Sequence, residues 1–136
     1  MKTITNTLKS TLDYISGAKQ HRTVVKRLLE KESFELKTIL QGNFNNIIIF
    51  PFPSGFPPYE PCEAKEPQIK LNRLGMCLSQ VKSSLAEKEM IFIQILESVA
   101  AEDAAIIIAM KDGELEKLYP KITQEAVQEA FPKLSL

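Results

Sequence analysis

The chain has 136 residues, 17 lysines and arginines against 17 aspartates and glutamates, no tryptophan, and 44% apolar residues. That length fits a single domain, 1–136, with a real core, and the zero balance excludes the overall positive charge of a committed nucleic-acid binder. The longest apolar runs, 47–53 and 104–110, fall far short of the roughly 18 residues that cross a bilayer, so no membrane partner is expected.

The opening Met1-Lys2-Thr3-Ile4 leads into a helical pattern and not a signal peptide. Ile4, Leu8, Leu12 and Ile15 step by four and three, which predicts an amphipathic helix ending at Gly17. A second helix is expected from about Gln20 to Lys31, with Val24, Val25, Leu28 and Leu29 inward and His21, Arg22, Lys26 and Arg27 outward. Ser33 is placed to cap a third, carrying Leu36, Ile39 and Leu40, and Gly42 to end it in a left-handed turn. Residues 1–43 thus read as an N-terminal helical part.

Six of the eight prolines (Pro51, Pro53, Pro57, Pro58, Pro61 and Pro67) then fall within residues 44–69. Each removes an amide donor and restricts the residue before it, so this stretch is not helical. Its isoleucines and aromatics set it apart from a disordered linker, and it reads as an extended strap, with Ile47 to Phe50 able to form a short extended piece. Residues 70–136 return to helical patterns. Leu71, Leu74, Leu78 and Val81 predict a helix despite Gly75, and Ser84 to Glu87 is a capping box. The helix that it opens, Leu85 to about Val99, is apolar nearly all round and is expected at the centre of the fold. Glu102 and Asp103 suit the first turn of the next helix, whose body is 104–110 and whose end is Asp112-Gly113; a buried strand is the alternative for its Ala-Ile-Ile-Ile-Ala run. Pro120 breaks the chain, Thr123 caps a last helix with Ile122 and Val127 as its staple, and Pro132 closes it. The expected fold is all-α, six to seven short helices in two halves with the strap between them.

Chemical motifs are sparse. His21 is the only histidine, and Cys62 and Cys77 lack C-x-x-C spacing, so neither a zinc site nor a Cys–His nucleophile is indicated; both thiols are expected reduced and structural. No glycine-rich phosphate loop occurs. Glu89 and Glu97 lie eight apart on the central helix and could point inward, but the Glu-x-x-His partners of a bundle metal pair are missing. No cofactor and no catalytic residue is therefore assigned.

Charge is unevenly spread: residues 1–37 hold eight cations against four acids, and residues from Ser84 onward hold five against ten. Lys19, Arg22, Lys26 and Arg27 make a basic helix face, the alternative site if nucleic acid is the partner, though no aromatic stacks beside it. Pro58-Tyr59-Glu60-Pro61 matches P-x-x-P, a loose pattern. The strap aromatics either pack on the helices, the commoner arrangement, or leave Phe56, Pro57, Pro58 and Tyr59 as a contact surface.

Four motifs carry a resemblance: the strap Pro53 to Pro61 (PSGFPPYEP), Lys88 to Glu97 (KEMIFIQILE), Ala101 to Asp112 (AEDAAIIIAMKD) and Ile122 to Pro132 (ITQEAVQEAFP). In this order they resemble a family of small uncharacterised proteins of T-even-like, mainly marine, tailed phages. Ala101 replaces a helix-starting proline common there, and Phe52-Pro53 replaces a Leu-Pro. The resemblance implies a phage protein made in the bacterial cytoplasm and leaves later entry into the virion open. It implies no catalytic residues. A non-enzymatic accessory protein that binds a host or phage protein is the expected function.

Overall fold

A computed structural model of the chain describes residues 7–45, 49–60, 71 and 73–136. The expectations that fall on Ile4, Ile47, Pro61, Cys62 and Pro67 lie outside the described residues. The elements are α1 (Leu8–Ser16), α2 (His21–Glu30), α3 (Phe34–Phe44), a 3-10 helix (Leu74–Cys77), α4 (Leu85–Ser98), α5 (Ala101–Lys111), α6 (Leu115–Leu118) and α7 (Gln124–Ala130). Among the described residues the regular elements are all helices, as the sequence pattern predicts.

The helix starts follow local chemistry. Thr7, Ser33, Ser84 and Thr123 each stand in extended backbone with the side-chain oxygen accepting the amide three residues on, which satisfies a donor that the helix itself leaves free. The end of α5 is a Schellman turn. Gly113, at φ 68°, donates to Met110 O, and Glu114 donates to Ala109 O. A Cβ is disfavoured at such a φ, hence glycine.

The centre of the fold is α5 and not α4. Helix α5 packs against α1, α3, α4 and α6, and buries Ala104, Ile106, Ile107, Ile108 and Met110. Helix α4 leaves Leu85 and Met90 in solvent, the latter 54% exposed. Its apolar residues outnumber the positions that neighbours cover, whereas the alanines of α5 let surrounding helices approach closely.

Three further expectations are corrected. The stretch from Leu71 to Val81 is no α-helix. Leu71, Leu74 and Cys77 are buried at steps of three, the period of a 3-10 turn, and Leu78 is already extended. Leu29 is exposed, since Val24, Val25 and Leu28 make up the buried stripe of α2 and Leu29 falls about 100° beyond Leu28. Gly42 does not end α3 but lies inside it. A Cβ there would stand 2.5 Å from Met110 Sδ, so glycine lets α3 close on α5.

Gly42→Ala is accordingly expected to cost about 1 kcal/mol net, because overpacking of about 2 kcal/mol outweighs the helix-propensity gain of about 1. Gly75→Ala, whose Cβ would meet no atom within 4 Å, serves as control and should be neutral or slightly stabilising. Urea unfolding of both variants checks this. Equal stability of the two would mean that Met110 yields freely.

Candidate functional site

The strap lies over the α4–α5 side of the bundle. Phe50 and Phe52 cover the buried ring of Phe92 on α4, with centroids 6.3 and 5.0 Å away, and Tyr59 packs half-buried against the core. These side chains follow the commoner expectation for strap aromatics. Phe56 does not: it is 69% exposed. Pro58 is exposed beside it, while Pro57 is half-buried. Of the four expected contact residues, Phe56 and Pro58 face solvent and Pro57 and Tyr59 mainly support them.

Polar contacts fix the backbone that carries Phe56. The Lys111 side chain, 2% exposed, places its ammonium 2.7 Å from Pro53 O, 2.9 Å from Gly55 O and 2.8 Å from Asp112 Oδ1. All three of its protons are thereby used. Asp112 Oδ2 in turn accepts the Gly55 amide at 2.9 Å, and Gly55 has φ 94°, a region that favours glycine. Further along, Glu97 Oε2 on α4 accepts the Glu60 amide at 2.8 Å. The strap is thus pinned at Pro53–Gly55 and again at Glu60, with Phe56 to Tyr59 spanning the interval.

Phe56 forms the ridge between two concavities. On one side a cleft of about 300 Å³ runs between the strap and α4, lined by Phe52, Pro57, Phe92 and Ile93 with Glu89 at its edge. On the other, a shallower groove is floored by Ala105 and Ala109 of α5 and walled by Leu118.

The other candidate residues are placed apart. Glu89 is exposed and Glu97 half-buried, so the pair does not point into the bundle; among the described residues no three His, Cys, Asp or Glu side chains gather as metal ligands. His21 is exposed with Nε2 3.0 Å from Glu129 Oε1 of α7. Cys77 is buried against α4, its Sγ 3.6 Å from Lys88 O, and burial pushes its thiol up to about 11. The two are not brought together, and a thiol so shifted is protonated at neutral pH.

The basic face loses one member. Arg27 donates to Tyr14 O at 2.6 Å and lies 4.5 Å above the Tyr14 ring, so it closes the end of α1 instead of facing a ligand. Lys19, Arg22 and Lys26 remain exposed, bordered by the His21–Glu129 pair. Among the described residues no helix is long and apolar enough to cross a membrane.

The strap's clamps, Lys111, Asp112 and Glu97, were not singled out as such in the sequence. The trace there is that the strap and its clamps, Glu97 and Lys111-Asp112, belong to three of the four motifs.

Comparison with curated proteins and with solved structures gives no match. A family model described as "Family of unknown function (DUF6433)" does match, over residues 11–117, a stretch that runs from within α1 to within α6 and takes in the whole clamped strap. The chain therefore belongs to that family.

Proposed function

We propose that the protein is a phage accessory protein acting as a protein-interaction module, with Phe56 as its anchor and a host or phage protein as its partner in the bacterial cytoplasm. The observation that carries this reading is a large aromatic, 69% exposed, on a backbone whose flanks are pinned by a buried lysine and a carboxylate. An exposed ring on a stiff frame gives up little conformational entropy on binding, and aromatic side chains supply much of the energy of protein interfaces. Pro57 and Pro58 stiffen the frame further through their fixed φ. The phage setting rests on the resemblance of the four motifs.

Capture from infected-host lysate with the tagged protein, with nuclease present, tests the reading. One stoichiometric protein partner is expected. Phe56→Ala should weaken its binding about thirtyfold, the effect of a side chain contributing about 2 kcal/mol, with an unchanged melting temperature. A partner that is retained by Phe56→Ala, or no partner at all, ends this reading. Partners that vanish with nuclease move it to Lys19, Arg22 and Lys26, where affinity should fall steeply with salt.

A further inference from the structure

Glu89, Ile93 and Glu97 stand four residues apart along α4, so they share one face, with an apolar side chain between two carboxylates. The cleft opens beside that face, between Phe52 and Phe56 of the strap and Phe92 and Ile93 of the helix. Glu97 holds the Glu60 amide, which brings the exposed Glu60 side chain to the same end. None of these three carboxylates has an ion-pair partner among the described residues.

Among the described residues, the cations beside the cleft are already engaged. The Lys111 ammonium is enclosed and fully bonded, Lys117 pairs with Glu114 across the ridge, and Arg73 is turned to Gln94 Oε1 at 3.1 Å. An apolar cleft with an unmatched carboxylate, Glu89, at its edge and further unmatched carboxylates at Glu97 and Glu60, beyond it along the same helix face, is complementary to an apolar side chain flanked by cations.

We infer that the cleft takes a basic peptide segment of the partner protein, one apolar side chain seated between Phe56 and Ile93, and lysines or arginines set against Glu89 and against the Glu60–Glu97 end. This rests on the interaction reading above. Eight residues of helix separate the two ends by about 12 Å, which an extended peptide covers in three or four residues at about 3.3 Å each. The segment therefore carries two cations three or four positions apart with the apolar residue between them. Nucleic acid is repelled by this face.

The test is selection of a random linear peptide library on the immobilised full chain, followed by fluorescence anisotropy of enriched peptides. The variants are Glu89→Gln, Glu89→Lys and Phe56→Ala, and Glu89 is exposed, so both of its variants should fold as wild type does. The expected peptides show the spaced cations, Glu89→Gln weakens them about threefold, Glu89→Lys weakens them at least about tenfold, and added salt weakens wild-type binding. Acidic or uncharged peptides, no enrichment, or indifference to Glu89→Lys would each overturn the inference. If uncharged peptides are still lost with Phe56→Ala, the interaction reading stands and only the charge preference fails; if neither residue matters, both fail. Self-association of the chain that Glu89→Lys abolishes would also overturn it, since the occupant is then a second copy.

Discussion

Replacing Lys111 by Met is expected to destabilise the protein by about 3 kcal/mol and to free the strap from the bundle. Removing one partner of a buried, hydrogen-bonded ion pair typically costs about 3–5 kcal/mol, because the remaining charge stays in a poorly solvated site. The lower end applies here, since the Asp112 side chain is 11% exposed and can regain some water. Lys111 supplies the hydrogen bonds to Pro53 O and Gly55 O as well as the pair with Asp112, so one substitution removes three contacts. The ring of Phe52 should then loosen from Phe92, while α5 itself persists through its apolar contacts. Two measurements check this: the urea midpoint, and limited proteolysis across residues 53–60. A stability loss under about 1 kcal/mol with unchanged cleavage would mean that the aromatic packing holds the strap without the clamp. A large loss of partner affinity accompanying Lys111→Met would tie the rigidity of the strap to binding.

The second large effect lies at the opposite end of α5. Asp103 is 1% exposed, and its carboxylate accepts the amides of Leu8 and Lys9 at 3.0 Å each. These are the first two amides of α1; the third, Ser10, is taken by Thr7 Oγ1. One carboxylate in the first turn of α5 therefore caps another helix and faces the positive ends of both. Asp103→Ala is expected to cost about 3 kcal/mol, as two donors, one of them buried, are left unpaired at about 1–3 kcal/mol each, partly offset by removing a desolvated charge. Asp103→Asn keeps one acceptor and should cost less.

The pH dependence has a definite sign. Burial, opposed by the two amides, raises the Asp103 carboxyl above its ordinary value. The folded state then holds this proton more tightly than the unfolded state, so the contribution of Asp103 to stability falls as pH rises from the ordinary carboxylate range through the raised value. Asp103→Asn has no such proton. The stability difference, wild type minus Asp103→Asn, should therefore shrink over that window and then level off. Asp13 acts in a separate window: the Lys9 ammonium and the Tyr119 hydroxyl hold its carboxyl down, so its contribution is lost only as the pH drops below the ordinary carboxylate value. Urea unfolding of both proteins at several pH values separates the two. A difference that grows with pH would contradict the buried carboxylate.

Much of the helical framework was legible in the residues. Ser33, Ser84 and Thr123 cap the helices they were expected to cap, and Gly113 closes α5, because capping depends on contacts within a few residues of chain. The prolines likewise ruled out helix in the strap wherever it lay. Apolar spacing misled where it was shared by two periods: Leu71, Leu74 and Leu78 suit an α-helix, but the buried set Leu71, Leu74 and Cys77 follows a 3-10 turn. The many apolar residues of α4 pointed to the wrong central helix, since composition counts side chains and not the neighbours that cover them.

The candidate site was legible only in outline. Its residues, Phe56 to Tyr59, were visible as a proline and aromatic cluster, but which ring would stay in solvent was not. The sequence by itself determined where α3, α4 and α7 begin, that residues 51–58 cannot continue a helix, and that Gly42 and Gly55 carry no side chain. The tertiary structure alone decided what those properties are for. Gly42 meets Met110 across 68 positions, Gly55 meets Asp112 across 57, and Leu8 meets Asp103 across 95. Such partners have no mark in local sequence, because the free energy of a buried contact depends on the distance and solvation that the folded chain creates, not on separation along it.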